Sequence, residues 1–472
     1  MAKHIHLIGI CGSAMASLAG MLQTKGYRVT GSDAAAYPPM SDLLKALGIP
    51  IMEPYAENNL SHRPDLVIVG NAISRGNVEL ESVLDQRIPF RSLAETIQHE
   101  FLPGKESLVV AGTHGKTTTT SMLAWIYEVA SQRRPEVAPS FLIGGIAENF
   151  GTSFRVLEGK PFILEGDEYD TAFFDKGPKF MHYFPDALIL THVEFDHADI
   201  YDNLEAVKTA FRRLVNLVPR RGRLIAFDGS ANVDECVSRG FCSVERYGFK
   251  PRSAWQVRDL THSNRNSSWK IFRSGREWLQ VTLPLPGEHN ALNATAAAAL
   301  AAGQGIDSAS IVKALSTFLS VKRRLEVRAV AAGVTIVDDF AHHPTAIRET
   351  LKALRAAYPG QRLWAVLEPR SNTLRRNVFE RELVESLALA DGIVVAGVFK
   401  QESISEGERM HPEKVVAELV RAGHDATYYP TADAIVQGIT PRLKPGDVVA
   451  ILSNGGFDGI YEKLPRYLEQ RT

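Results

Sequence analysis

Leu108-Val109-Val110-Ala111-Gly112-Thr113-His114-Gly115-Lys116-Thr117 is the stretch of this 472-residue chain that decides the fold. The four apolar residues at its start are typical of a buried parallel strand. The glycines that follow let backbone N–H groups face a phosphate, and a helix N-terminus after them favours negative charge. Lys116 can reach the β- and γ-phosphates of a nucleotide, and the Thr117 hydroxyl can ligate Mg²⁺. The stretch therefore predicts a strand, a phosphate loop and a helix that bind a nucleoside triphosphate.

The phosphate loop departs from the general pattern, in which four residues separate the two glycines. Here only Thr113 and His114 stand between Gly112 and Gly115. Taken alone, this short sequence is also compatible with a glycine turn beside a solvated lysine. The strand before the loop and the helix after it favour the nucleotide site, because phosphate binding needs that context.

Two polar segments follow two further strands of the same region. Glu165 and Glu168 lie just past an apolar run at residues 162–164, and Glu194 and His197 lie past a run at residues 187–190. In an open α/β sheet the carboxyl ends of the strands share one ligand-binding edge, so we expect both segments near the phosphate loop. Clustered carboxylates favour a cation between them, and oxygen ligands suit Mg²⁺. The alternative is a solvated acidic loop with an unrelated surface histidine.

Apolar runs divide the chain into three α/β regions. The first begins with a strand at residues 4–10, a small-residue turn and a helix. These residues could pass for a short secretion signal, but Gly9 and Gly12 interrupt the apolar run, so we favour strand, turn and helix. A linker at residues 103–105 precedes the phosphate-loop region. From residue 322 onward, strands alternate with helices as in a doubly wound sheet.

Bulk composition argues against several classes of function. Lys plus Arg numbers 53 and Asp plus Glu 54, so the formal net charge of −1 disfavours nucleic-acid binding by bulk electrostatics. The sequence contains no apolar run of about 20 residues, the length that a membrane span needs. The cysteines are odd in number and lack metal-ligand spacing, which favours a reducing cytoplasm; they are Cys11, Cys236 and Cys242.

Four ordered motifs resemble the Mur ligase superfamily, the ATP-dependent ligases that build the peptide stem of peptidoglycan. They are the loop at residues 111–119, Pro286-Gly287-Glu288-His289-Asn290-Ala291-Leu292-Asn293-Ala294, Lys322-Arg323-Arg324-Leu325-Glu326 and Asp338-Asp339-Phe340-Ala341-His342-His343-Pro344. The resemblance implies an α/β protein of three domains. A Rossmann-like domain that binds a UDP-sugar would occupy residues 1–103. A P-loop ATPase-like central domain would occupy residues 104–321, and a doubly wound C-terminal domain that acts as a lid would occupy residues 322–472.

The resemblance also implies an ADP-forming ligase that uses ATP and Mg²⁺ to activate a carboxylate as an acyl phosphate. Two branches of the superfamily fit. One joins the tripeptide L-Ala-γ-D-Glu-meso-diaminopimelate to UDP-N-acetylmuramate in peptidoglycan recycling, and the other adds L-alanine to the same sugar nucleotide. Residues 167–183, 194–200, 367–373 and 453–457 resemble the tripeptide branch, which we favour. A non-catalytic ATP switch and a nicotinamide-dependent oxidoreductase are more distant alternatives.

Roles for individual residues follow from the resemblance. Catalysis would fall to Lys116, Glu165, His197 and Arg324, and the metal ion would be held by Thr117, Glu165 and His197. ATP would be bound by Gly112, Thr113, His114, Gly115, Lys116, Thr117, Thr118, His289, Asn293, Arg324, Asp339 and His342. The UDP-sugar would meet backbone N–H groups and polar side chains of Gly9, Cys11, Gly12, Ser13, Asp33, Asn71 and Ser74. The peptide carboxylates would be bound by Arg370, Ser371, Asn372, Thr373 and Arg375, because arginine suits bidentate recognition.

The expected partners are three small molecules: UDP-N-acetylmuramate, the tripeptide and ATP. We expect neither nucleic acid nor membrane as a partner. The chain would act in the cytoplasm as a monomer or weak homodimer, in cell-wall biogenesis and cell division.

Overall fold

Three large β-sheets follow one another along the chain in this computed structural model, which describes residues 3–36 and 40–470. The first sheet takes its strands from residues 4–92, the second from residues 106–283 and the third from residues 326–452. The predicted boundaries at 103/104 and 321/322 lie between these sheets. The predicted α/β class is confirmed. Within the described ranges, no helix has the length and apolarity needed to cross a membrane.

The first sheet is parallel, with the strand order β3-β2-β1-β4-β5. Its central strands are apolar because helices cover both faces, which leaves residues such as Leu7 and Ile68 fully buried. The residues that could have passed for a secretion signal form β1 and α1. The elements are β1 (His4–Ile8), α1 (Ser13–Thr24), β2 (Arg28–Ser32), α2 (Met40–Ala46), β3 (Ile51–Met52), β4 (Leu66–Val69), α3 (Val78–Asp85), β5 (Phe90–Ser92) and α4 (Leu93–Glu100).

The second sheet has ten strands in the order β17-β16-β15-β14-β13-β12-β6-β9-β7-β8, with a separate hairpin, β10-β11. Its centre is parallel, whereas β15, β16 and β17 form an antiparallel extension that the sequence analysis does not predict. The elements are β6 (Glu106–Ala111), α5 (Lys116–Ser131), β7 (Ser140–Ala147), β8 (Thr152–Arg155), β9 (Pro161–Gly166), β10 (Asp170–Ala172), β11 (Asp175–Pro178), β12 (Ala187–Leu190), α6 (Leu204–Leu217), β13 (Arg223–Phe227), α7 (Ala231–Val237), β14 (Ser243–Gly248), β15 (Trp255–Ser263), β16 (Asn266–Arg273), β17 (Arg276–Leu283), α8 (Glu288–Gly303) and α9 (Ser308–Ser316).

The third sheet has the order β18-β19-β23-β20-β21-β22, with only the edge strand β18 antiparallel to its neighbour. Helices cover both faces, as the prediction of a doubly wound sheet requires. The elements are β18 (Glu326–Ala331), β19 (Val334–Asp339), α10 (Pro344–Ala357), β20 (Leu363–Leu367), α11 (Glu380–Leu387), β21 (Gly392–Ala396), α12 (Pro412–Arg421), β22 (Asp425–Tyr429), α13 (Ala432–Ile439), β23 (Val448–Leu452) and α14 (Ile460–Glu469).

The strand register of the second sheet brings three loops together. Strand β6 lies between β12 and β9, and its last residue, Ala111, pairs with Leu190 on one side and Gly166 on the other. The three strands are parallel, so all of them end at the same edge. The phosphate loop, the acidic loop after β9 and the loop after β12 are therefore neighbours.

Candidate active site

The phosphate loop connects β6 to α5 through two glycines that no other residue could replace without strain. Gly112 and Gly115 have φ values of 132° and 80°, in the region that favours glycine. A Cβ atom at Gly115 would lie 2.6 Å from the Asn293 side-chain oxygen, and one at Gly112 would collide with the Thr191 hydroxyl. The loop is thus packed tightly against α8 and against the residue after β12.

Lys116, the first residue of α5, bonds back across this loop and also reaches the acidic loop. Its Nζ atom donates to the Gly112 carbonyl oxygen at 2.7 Å and lies 2.9 Å and 2.7 Å from the two carboxylate oxygens of Glu168. Burial opposes charge on both groups, but their mutual attraction outweighs it. The pKa of Lys116 is consequently raised and the pKa of Glu168 is lowered. Lys116 and Glu168 are therefore a charged ion pair at the mouth of the loop.

Thr117 and Glu165 meet on the other side of Lys116. The Thr117 hydroxyl donates to Glu165 Oε1 at 2.8 Å, and the backbone N–H of Gly144 donates to Oε2 at 2.7 Å. Burial raises the pKa of the Glu165 carboxyl, against the opposing effects of these bonds and of nearby Lys116 and Arg324. A hydroxyl and a carboxylate converging beside a phosphate loop are the hard oxygen ligands that Mg²⁺ prefers. These two predicted metal ligands therefore fit the ion.

His197 lies in the loop after β12 and is directed at the ion pair. Its Nε2 atom is 3.1 Å from Glu168 Oε1, and its backbone N–H donates to Asp196 Oδ1 at 2.7 Å. Burial lowers the pKa of His197, but the bond to Glu168 outweighs burial and raises it. The contact of His197 is thus with Glu168 and not with Thr117 or Glu165. Glu168 bridges Lys116 and His197, although the sequence analysis places it only in the acidic run and gives it no role.

His114 and Thr113 hold the phosphate loop to the loop after β12. His114 Nε2 lies 2.9 Å from Glu194 Oε2, and the Thr113 hydroxyl accepts the Glu194 N–H at 2.9 Å. Burial opposes ionisation of Glu194, but the bond from His114 prevails and lowers its pKa to about 2. Thr118 is buried in the first turn of α5. The side chains of Thr113 and His114 are used to hold the loop in place, and Thr118 is buried. Only some of the residues predicted to bind ATP therefore have side chains that are not already engaged.

His289 and Asn293 lie on α8, behind the phosphate loop. Asn293 touches Gly115, as described above. His289 is buried, which lowers its pKa, and its Nδ1 atom has no hydrogen-bond partner among the described residues. A buried polar atom without a partner is costly, so this nitrogen is available to a ligand.

The third domain contributes Arg324, Asp339 and His342 to the same region. Arg324 lies near enough to Glu165 and His289 for its charge to affect the pKa of each. Asp339, expected to contact ATP, also lies near enough to His289 for its charge to affect the pKa of that group. Its carboxylate accepts the backbone N–H groups of Leu325 and Ala341, at 2.8 Å and 2.9 Å. Asp339 therefore shapes the turn that carries Arg324.

The loop after β1 uses most of its predicted diphosphate-binding N–H groups in bonds within the first domain. Gly9 N–H donates to the Ser32 carbonyl oxygen at 2.9 Å, Gly12 N–H to the Gly9 carbonyl oxygen at 3.2 Å, and Cys11 N–H to Asp33 Oδ2 at 2.8 Å. Three of the four predicted backbone donors are thus used inside the domain, and Asp33 braces the loop. Ser13 opens α1, and its N–H belongs to that helix N-terminus. Asn71 and Ser74 are exposed beyond the end of β4.

The predicted peptide-binding residues lie between β20 and α11. Arg370 stacks on the Phe399 ring, with 3.7 Å between its guanidinium carbon and the ring centroid. Arg375 donates to Asn372 Oδ1 at 2.8 Å and to the Ser403 hydroxyl at 3.1 Å, and the Ser371 hydroxyl accepts the Leu374 N–H. Thr373 has a contact that its predicted role in peptide binding does not include. It is buried, and its hydroxyl donates to Asp196 of the middle domain at 2.7 Å.

Three models of known protein domains together match most of the chain. Residues 4–101 match the model of the Mur ligase family catalytic domain, residues 110–301 the Mur ligase middle domain and residues 323–455 the Mur ligase glutamate ligase domain. These three matches follow the order of the three sheets, so the predicted three-domain architecture is confirmed.

Similar full-length proteins carry the names of ligases. The chain is 41% identical over 98% of its length, and 97% of the other protein, to the UDP-N-acetylmuramate--L-alanyl-gamma-D-glutamyl-meso-2,6-diaminoheptandioate ligase of Escherichia coli. It is 31% identical, over 98% of its length and 97% of the other, to a UDP-N-acetylmuramate--L-alanine ligase of Lachnoclostridium phytofermentans. The crystal structure of a murein peptide ligase from Psychrobacter arcticus superposes with a TM-score of 0.74 at 33% identity, covering 99% of both chains. This chain therefore belongs to the Mur ligase family and is a ligase.

Proposed function

We propose that the protein joins the lactyl carboxylate of UDP-N-acetylmuramate to the amine of L-Ala-γ-D-Glu-meso-diaminopimelate, with conversion of ATP to ADP and phosphate. The similarity to the E. coli ligase of that specificity over nearly the whole chain is the observation that carries this proposal. The meeting of the phosphate loop with Glu165 and with the Glu168–His197 pair supports it. Recovery of stem peptides for the cell wall is the corresponding role in the cell.

ATP binds, in this proposal, with its phosphates over Gly112 to Thr118 and its base towards His289 and Asn293. The backbone N–H groups at the start of α5 and the Lys116 ammonium group compensate the phosphate charge. Thr117 and Glu165, with His197 nearby, would hold Mg²⁺, which would supply further positive charge at the γ-phosphate. When ATP enters, Lys116 can exchange part of its contact with Glu168 for a phosphate oxygen. The ion pair keeps the lysine charged and in place until then.

The reaction then proceeds in two steps on the bound substrates. An oxygen of the lactyl carboxylate attacks the γ-phosphorus of ATP, and ADP leaves. The amine of the peptide attacks the carbonyl carbon of the acyl phosphate, and phosphate leaves with the former carboxylate oxygen. Lys116 and Arg324 stabilise the negative charge that develops during phosphoryl transfer. The third domain lies over the site and excludes water, which would otherwise hydrolyse the acyl phosphate.

The other two ligands are assigned to the outer domains. The UDP-sugar lies on the first domain near Ser13, Asn71 and Ser74, since the remaining predicted donors are used within that domain. The peptide lies on the third domain, where Arg370 and Arg375 offer guanidinium groups to its carboxylates. We assign residues 1–103, 104–321 and 322–472 to the three domains, and the enzyme to the cytoplasm as a monomer or weak homodimer.

Donor specificity tests the proposal and separates it from the L-alanine-adding alternative. Purified protein with ATP, Mg²⁺ and UDP-N-acetylmuramate receives either radiolabelled L-alanine or the tripeptide as the only amine donor. We expect ADP and a labelled sugar-nucleotide product with the tripeptide and neither with L-alanine. Product from L-alanine alone would overturn the proposed specificity.

A further inference from the structure

The loop after β12 is held by the third domain on both sides of His197. We call residues 194–199 the His197 loop. Its Glu194, Phe195, Asp196, Ala198 and Asp199 each form a hydrogen bond with the third domain. The bonds join Thr345 to Glu194 at 2.7 Å, His343 to the Phe195 carbonyl oxygen at 3.2 Å, Thr373 to Asp196 at 2.7 Å, the Ala198 N–H to Thr373 at 3.1 Å, and Asn372 to Asp199 at 2.7 Å. Only His197 itself is directed away, towards Glu168.

His197 needs this support because its backbone is in an unfavourable conformation. Its φ of 56° lies in the left-handed region, which is strained for a residue other than glycine. The conformation turns the imidazole towards Glu168 while both neighbours face the third domain. Without contacts that define this turn, the loop would relax and the imidazole would leave Glu168.

Thr373 contacts the His197 loop on both sides of His197. The residue is 2% exposed, and its single hydroxyl donates to Asp196 Oδ1 and accepts the Ala198 N–H. The same Asp196 oxygen accepts the backbone N–H of His197 at 2.7 Å. One hydroxyl thus fixes the residue before His197, the residue after it and, through Asp196, His197 itself.

We propose that Thr373 is a positioning residue for ligation: as the third domain docks, its hydroxyl sets the His197 loop and directs His197 to Glu168 and Lys116. The proposal rests on the proposed function and deepens it. Docking of the third domain and assembly of the phosphoryl-transfer site thereby become one event. The site is incomplete while the third domain is away, which protects ATP from wasteful reaction. In this proposal Thr373 acts through the His197 loop, whereas the sequence analysis assigns it to the peptide.

Two substitutions of Thr373 separate the hydroxyl from the shape of the side chain. Thr373→Val keeps the shape and removes the hydroxyl, and Thr373→Ser keeps the hydroxyl. For Thr373→Val we expect kcat to fall about 10- to 100-fold, because a misplaced catalytic group costs a factor of that size. We also expect a higher Mg²⁺ concentration at half-maximal rate, and weaker Mg²⁺-dependent ATP binding by calorimetry. KM for the peptide should stay near the wild-type value, and Thr373→Ser should restore all three properties.

A double-mutant cycle with His197→Ala tests whether Thr373 acts through His197. If it does, Thr373→Val should cost little in a protein that already lacks the imidazole. Thr440→Val is the matched control, because the Thr440 hydroxyl of the same domain is also buried and donates to a backbone carbonyl oxygen, that of Val436 in α13. We expect its kinetics to match the wild type, and thermal melting shows that each variant is folded.

Three results would overturn the inference: full additivity in the cycle, a kcat of Thr373→Val equal to the wild type, or a raised KM for the peptide with an unchanged Mg²⁺ titration. The last result would make Thr373 a peptide contact. Failure of the proposed function is recognised separately, because the wild-type protein would then use L-alanine and not the tripeptide. In that case the Thr373 variants are measured with L-alanine as the amine donor. The additivity of the cycle, the kcat of Thr373→Val and the Mg²⁺ titration then decide the role of Thr373 as before.

Discussion

The position of the Lys116 side chain depends on Glu168, a residue outside the phosphate-loop motif. The motif explains why a lysine stands at the start of α5, but the buried carboxylate of Glu168 holds its ammonium group in place. The side chain of Glu168 is 2% exposed and also accepts from His197. A buried charge pair of this kind is sensitive to the loss of one partner, because the other is left uncompensated.

Replacement of Lys116 by alanine should therefore have two effects. Loss of the cation at the transferring phosphoryl group should lower the rate of ADP release about 100- to 1,000-fold. Loss of the partner of Glu168 should lower the free energy of unfolding by about 3–5 kcal/mol. Steady-state kinetics and urea unfolding measure the two effects.

A second substitution distinguishes the catalytic from the structural effect. In Lys116→Ala/Glu168→Gln, the buried group is neutral, so we expect much of the lost stability to return while ligation stays defective. A single Lys116→Ala variant as stable as the wild type would contradict the buried ion pair.

Helix α4 shows how one element ties two domains together. It begins with a capping box, in which the Ser92 hydroxyl accepts the Glu95 N–H at 3.1 Å and the Glu95 carboxylate accepts the Ser92 N–H at 2.8 Å. At its other end, Phe101 packs edge-on against Phe162 of β9, with ring centroids 6.3 Å apart. The helix belongs to the first domain and contacts the middle domain away from the phosphate loop.

Removal of the cap should weaken this helix without changing the chemistry. For Ser92→Ala we expect the free energy of unfolding to fall by about 1 kcal/mol, because one N-terminal N–H loses its partner in a buried position. Urea unfolding followed by circular dichroism measures the change, and kcat should stay at the wild-type value. A large loss of kcat would show that α4 acts on the site, while unchanged stability would argue against the capping box.

The whole molecule buries neutral histidines in more than one domain. Burial lowers the pKa of His192 in the middle domain to about 4 and that of His343 in the third domain to about 3. In the unfolded chain a histidine has a pKa of about 6.5. Below that value the unfolded chain binds protons that the folded protein does not, so acid favours unfolding.

Stability should therefore fall as the pH is lowered from about 6.5 towards 4. Above pH 6.5 both states leave these histidines neutral, and the stability is fully present. Urea midpoints at pH 7.5 and pH 5.0 test this, with the lower midpoint expected at pH 5.0 and proton uptake on unfolding there. Equal midpoints at the two pH values would contradict the burial of neutral histidines.

Local patterns were sufficient to place most of the central strands. The apolar runs at residues 108–111, 162–164 and 187–190 lie within β6, β9 and β12. Strands β16 and β17 lie outside the sequence prediction, because they alternate more and less buried residues and contain no continuous apolar run. The site was predicted to the level of the loops that form it, and Glu168 was the principal omission.

The sequence by itself determined the three α/β units, the phosphate loop and the family, because apolar runs and glycine turns depend on residues close together in the chain. Only the tertiary structure decided which groups face each other. Glu168 pairs with Lys116 across 52 positions, Asp33 bonds to Cys11 across 22, and Thr373 bonds to Asp196 across 177. Such pairs depend on the order of strands in a sheet and on how one domain docks on another, and no local pattern encodes either.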